Sequence, residues 1–168
     1  MSKIEARFNF RNRVVMRMQP ALVVVALCFS QWASAQSAPR PEALIKWRQS
    51  AYQVIAWNSG RIKAALAGSY ARQEVQSAAN ALAAVANSGL ATLFIPGTAS
   101  GKGWRETTAR DEVFSDAQKF RALTEEFARE AGTLARLAAA GDRATVNEQF
   151  LKVAQACKAC HEKFRQTD

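Results

Sequence analysis

Histidine occurs once in this chain, at His161, and methionine only at Met1, Met16 and Met18. Cysteine is equally sparse, at Cys28, Cys157 and Cys160. A structural zinc site wants about four Cys or His ligands, and with Cys28 assigned to the leader described below only three remain. No apolar run reaches the roughly 20 residues needed to cross a bilayer, which excludes a spanning helix. Strand-like alternation is missing around Cys157 and Cys160, so the βαβ context of a thioredoxin-like C-x-x-C is missing too. No basic stripe interleaved with aromatics supports nucleic-acid binding.

The amino-terminal segment explains several of these shortages. Lys3, Arg7, Arg11, Arg13 and Arg17 stand against the single acid Glu5, and a short apolar run from Pro20 to Phe29 leads to Ala33-Ser34-Ala35. That order of basic, apolar and small residues is a secretory signal with an A-x-A site. The expectation is cleavage after Ala35, leaving residues 36–168 as one exported domain. All three methionines and Cys28 depart with the leader. The full chain has 23 Lys plus Arg against 14 Asp plus Glu. Removing the leader leaves 18 and 13, a net charge of +5, so most of the basic character belongs to the signal. The remaining mild excess can steer acidic redox partners.

What is present is concentrated near the carboxyl terminus. Cys157-Lys158-Ala159-Cys160-His161 is the C-x-x-C-H attachment signature of c-type haem. Positions i, i+3 and i+4 share one face of a helix. Two thiols and one imidazole can therefore address the same flat macrocycle, the thiols as thioethers and His161 as an axial iron ligand. A plain disulfide gives no reason for the adjacent histidine. The expected cofactor is one covalently attached haem c, and that chemistry places the product in the periplasm. The competing possibility is a structural helical bundle without haem.

Four helices are legible, which makes the fold class all-α: an antiparallel up-down four-helix bundle. The first runs from about Pro41 to Leu66, with proline in its first turn and Gly68 just beyond its end. The second spans about Tyr70 to Ser88 and stops at Gly89. The third starts at Ser115, where Ser115 and Gln118 form a capping box, and ends at Gly141. The fourth opens on a second box, Thr145 and Glu148, and runs through Phe164. Apolar steps alternating between three and four suit helices packed at small angles. The connection from Ala91 to Phe114 is long enough to be functional. Phe94-Ile95-Pro96-Gly97-Thr98 opens it with an apolar anchor and a turn signal, and the expectation is a partly ordered loop over an exposed haem edge.

Absence also bears on the second axial position. An electron-transfer cytochrome commonly closes its iron with a second Met or His, and residues 36–168 hold no methionine and no other histidine. Five-coordinate, high-spin iron with an open face follows as the expectation, able to bind NO and CO and to exchange single electrons. A peroxidase is disfavoured, because no distal histidine is available for acid-base work on peroxide, and the chain is not read as an enzyme. A dedicated six-coordinate, low-spin electron carrier stays open as the alternative.

The ensemble resembles the cytochrome c′ family. Lys46-Trp47-Arg48-Gln49-Ser50 resembles its K-x-R-Q-S segment, Phe94 to Thr98 its F-x-P-G-T loop, and Cys157 to Arg165 its C-x-x-C-H-x-x-[FY]-R ending. Phe114-Ser115-Asp116 also matches. Around Lys102 to Arg110 the loop is a few residues longer than is typical of the family. The resemblance implies that Arg48 and Gln49 approach the haem propionates and that Tyr52 faces the open iron position. It implies further that Arg165 sits beside the proximal imidazole, and it puts Phe94 among the cofactor contacts. For Tyr52, three roles compete: steric lid, hydrogen-bond donor to a bound ligand, and phenolate ligand. The resembled family often forms homodimers through its first two helices, and the small residues of the second helix permit a dimer and a monomer alike. Trp47, Trp57 and Trp104 are read as surface or interface residues.

Overall fold

The computed structural model describes residues 39–166, so the expected leader, residues 1–35, lies outside the described residues. Four long helices make the body: α1 Pro41–Ala67, α2 Arg72–Ala86, α3 Ala117–Ala140 and α4 Arg143–Phe164. A 3₁₀ turn at Leu90–Leu93 and a single helical turn at Glu112–Ser115 punctuate the long connection between α2 and α3. Among the described residues, pairing of the β type is limited to isolated bridges, Lys102 with Glu106 and Ala109 with Arg165. The expected all-α fold class holds.

Each helix buries one stripe. Ile55, Ile62 and Leu66 of α1 meet Val75, Ala78, Ala79 and Leu82 of α2, and α3 adds Phe127, Ala131, Leu134 and Ala138. Val146, Val153 and Ala156 of α4 complete the main core. The alanines allow close approach of helix axes at interior packing density. Each of Ile62, Leu82 and Leu134 is fully enclosed, and such burial stabilises the fold by about 1.5–3 kcal/mol per side chain. Chain order decides the packing: α1 lies on α2, α2 on α3 and α3 on α4, whereas α1 and α4 share no comparable interface. The open side between the first and last helices is where the cavity forms.

The buried amides Asn58 and Gln149 both find hydrogen-bond partners. The buried Asn58 donates to the Val54 carbonyl at 2.9 Å and accepts from Arg61 at 2.9 Å, and Arg61 reaches Glu74 of α2 at 2.7 Å. Gln149 of α4, also buried, donates to the Glu130 carbonyl at 3.1 Å and to its carboxylate at 2.7 Å. The hydroxyl of Tyr70 is buried with no hydrogen-bond partner among the described residues.

Helix ends correct the sequence expectations in detail. The α3 cap is Asp116, whose carboxylate accepts from the Lys119 N–H at 3.4 Å, not Ser115, which ends the preceding helical turn. Likewise Asp142, not Thr145, caps α4, accepting from the Thr145 N–H at 2.8 Å. In both places a carboxylate stands at the cap, and its full negative charge also complements the helix dipole. Helix α2 starts at Arg72 instead of Tyr70, whose side chain turns onto the main core. The Pro96-Gly97 turn forms as expected: Thr98 N–H returns to the Ile95 carbonyl at 3.1 Å, and Gly97 takes φ 88°, which glycine adopts without penalty.

Candidate functional site

A cavity of about 750 Å³ opens between α1, α3 and α4. It separates two apolar clusters. The main core lies on one side; Val113, Phe120, Leu123 and Phe164 form the second. In the second cluster Phe120 makes edge contacts with Phe94 at 4.8 Å and with Phe164 at 5.2 Å between ring centroids. Phe164 thus spends one face on another aromatic ring while also lining the cavity.

Helical spacing delivers the chemistry. Cys157, Cys160 and His161 all line the cavity from α4, as steps of three and four residues require. Cys157 packs against the main core and Cys160 against the second cluster, so the two thiols flank the gap. Both are free. Burial pushes the Cys157 thiol above its ordinary value, and burial together with Cys157 pushes Cys160 up to about 11. Reactive redox thiols have lowered values, whereas burial moves this pair in the other direction. His161 is held below its ordinary value by partial desolvation and then by the Arg165 charge. A neutral imidazole at neutral pH is the form that ligates iron.

A second wall comes from α1. Tyr52, four residues after Arg48, lies between the main core and the cavity. Burial first, and then Cys160, raise its phenol pKa far above the ordinary value, with Arg48 opposing only in part. Tyr52 is a neutral phenol, a donor and a bulky neighbour. Ile55 of α1 adds apolar surface to this wall, and Leu90 of the 3₁₀ turn and Phe127 of α3 line the cavity as well.

Arg48 and Gln49 reach the cavity but are engaged with the loop. Arg48 is 3% exposed. It donates to the Thr98 hydroxyl at 2.9 Å, to the Thr98 carbonyl, and to the Thr107 hydroxyl at 2.6 Å, and it lies 4.5 Å over the Phe94 ring. Gln49 binds the backbone of Trp104 and Arg105. Arg165 lines the cavity at the end of α4, where its N–H caps the His161 carbonyl at 3.1 Å. All eight residues expected at the cofactor therefore border one cavity. Sequence reasoning missed the partners Thr98 and Thr107 as such, together with the wall Arg105 to Ala109. Thr98 sat in the quoted loop motif, whereas nothing local marks Thr107.

The cavity fits a c-type haem. Its volume is within the usual 300–1,000 Å³ of ligand sites. Its walls are largely apolar, and neutral thiols and a neutral imidazole stand on one of them. Among the described residues, no cluster of three or more His, Cys, Asp or Glu competes for a metal ion.

Comparison with known proteins gives the family. The family model described as Cytochrome C′ matches residues 43–165. Cytochrome c′ of Rhodocyclus tenuis is 48% identical over 130 residues, covering 77% of this chain and 98% of the relative. Among solved structures, a cytochrome c′ with an unusual ligand-controlled dimer dissociation is similar at 40% identity and TM-score 0.75, covering 78% of this chain and 100% of that one. A nitric oxide complex of a mutant cytochrome c prime from Alcaligenes xylosoxidans is similar at 28% identity and TM-score 0.69, covering 79% and 100%. With the family signature spanning the whole bundle and C-x-x-C-H on the cavity wall, this chain belongs to the cytochrome c′ family, the c-type cytochromes that carry one covalent haem on a four-helix bundle.

Proposed function

We propose that this cytochrome is exported to the periplasm after loss of residues 1–35, and that its haem is five-coordinate, binds NO and CO, and exchanges single electrons. Cys157 and Cys160 would hold the haem through thioethers, and His161 would ligate its iron. When bound, the haem supplies an iron that takes up a diatomic gas or passes one electron. The observation that carries this reading is the make-up of the cavity and of the chain: Tyr52 of α1, a neutral phenol, lines the same cavity as His161, and residues 36–168 contain no methionine and no second histidine. The nitric oxide complex of the Alcaligenes xylosoxidans protein supports it.

Each residue has a part. His161 offers a neutral nitrogen, and Arg165 keeps positive charge beside it, discouraging protonation. Tyr52 limits space on the open face and holds a proton that it can share with a bound ligand. Arg48 and Gln49 hold the loop wall. The exposed apolar residues Trp47, Val54 and Trp57 on α1 support a homodimer through the first helices, and acidic redox proteins are the expected electron partners.

The optical spectrum of the periplasmically produced protein tests the reading, ferric and dithionite-reduced, before and after NO and CO. Broad high-spin bands that shift on adding gas are expected. Sharp low-spin bands insensitive to gas would replace the proposal with a dedicated six-coordinate electron carrier.

A further inference from the structure

The segment from Thr98 to Arg110 is built as a strap across the side of the bundle that α1 and α4 leave open. At one end it is pinned to α1. The Gln49 amide pairs with strap backbone like a strand edge: its Oε1 accepts from Trp104 N–H at 2.8 Å, and its Nε2 donates to the Arg105 carbonyl at 2.9 Å. Gly103 presses so closely on α1 that a Cβ there would stand 2.8 Å from the Lys46 nitrogen and 2.9 Å from Ile45 Cγ2. Trp104 donates from its indole to Ser50 at 2.9 Å, and the Lys46 ammonium lies 5.2 Å over its ring.

At the other end the strap is tied to the terminus of α4. Arg110 N–H reaches the Phe164 carbonyl at 3.0 Å, and Gln166 N–H reaches the Thr108 carbonyl at 2.8 Å, flanking the Ala109–Arg165 bridge. Between these ties, Arg105 to Ala109 form a wall of the cavity. We propose that Gln49 is the positioning residue of a closed strap, and that this strap sets how readily small solutes enter the haem cavity from the α1–α4 side. The proposal deepens the gas-binding reading and rests on it only for the gases; entry of other solutes is independent of that reading.

Two substitutions in the full-length exported holoprotein test it. Gln49→Leu removes the amide pairing, which is solvent-exposed, so the buried core is untouched. Gly103→Val forces the strap off α1 by a backbone clash. Three measurements are compared with the parent: trypsin cleavage after Arg105, hydrogen exchange of the Trp104 to Thr107 amides, and the rate of haem reduction by dithionite. Cleavage and exchange about tenfold faster, with reduction at least about threefold faster and the helical circular dichroism retained, is the expected result. Unchanged cleavage and exchange in Gln49→Leu would overturn the positioning role. A loosened strap with an unchanged reduction rate would overturn control of entry. CO uptake by the parent is recorded separately; its absence would overturn gas binding and leave the strap to be judged on the other three readouts.

Discussion

The guanidinium of Arg48 lies 4.5 Å from the centroid of the Phe94 ring while donating to both the hydroxyl and the carbonyl of Thr98. One buried cation thereby joins α1 to the start of the loop and shapes the wall that Phe94 contributes. Desolvation lowers the Arg48 pKa, yet three acceptors surround the group. Arg48→Met should therefore destabilise the holoprotein by about 2–4 kcal/mol, because it leaves buried acceptors unpaired. Guanidinium denaturation followed by helical circular dichroism measures this, and a loss below about 0.5 kcal/mol would contradict the account.

Tyr52 separates lid from donor. Tyr52→Phe keeps the ring and removes the hydroxyl; Tyr52→Ala removes both. If bulk dominates, CO association should change by less than about threefold in the first variant and rise more than about tenfold in the second. Equal effects of the two would assign the role to the hydroxyl instead. Flash photolysis of the CO adduct reads both.

The bridge between Asp116 and Lys163 gives a pH signature. The hydrogen bond from Lys163 holds the Asp116 carboxyl below its ordinary 3.8. A depressed folded-state value adds stability that is present above the unfolded value and is lost as pH falls through the folded one. Asp116→Asn retains a capping side chain but loses the charge. The melting-temperature gap between parent and variant should be full at neutral pH and close in acid below that 3.8. A gap that persists at the acid end would show that the charge is not its source.

Trp57 is 64% exposed on α1, beside Arg61 at 4.8 Å and in line with Trp47 and Val54. Aromatic surface of this kind is enriched at interfaces. Trp57→Glu should convert a dimer to a monomer in sedimentation velocity without altering the haem spectrum. A parent that sediments as a monomer at every concentration would remove the dimer from the proposal.

Much of this was legible in the chain before any coordinates. Apolar steps of three and four residues define the four helix bodies, because a helix repeats its face at that spacing and a core needs a continuous stripe. The same spacing brings Cys157, Cys160 and His161 to one wall, and Arg48 and Tyr52 to another. Helix starts were less legible. Ser115 and Thr145 satisfy the capping pattern, yet Asp116 and Asp142 take the positions, since two polar candidates stand close together and local sequence does not weigh them.

By itself, then, the sequence determined the helical repeat and the haem attachment signature, which depend on residues a few positions apart, and left residues 36–168 without methionine or a second histidine. Only the tertiary structure decided that α1 and α4 stay apart and that the two cysteines flank a gap between separate apolar clusters. It alone decided that Arg48 and Gln49 are spent on Thr98, Trp104, Arg105 and Thr107. Those bonds join residues 50 to 59 positions apart, and no periodicity links their partners. Hydrogen bonds of that range form only once helix packing has brought the loop and α1 together, which is why the strap has no signature in the chain.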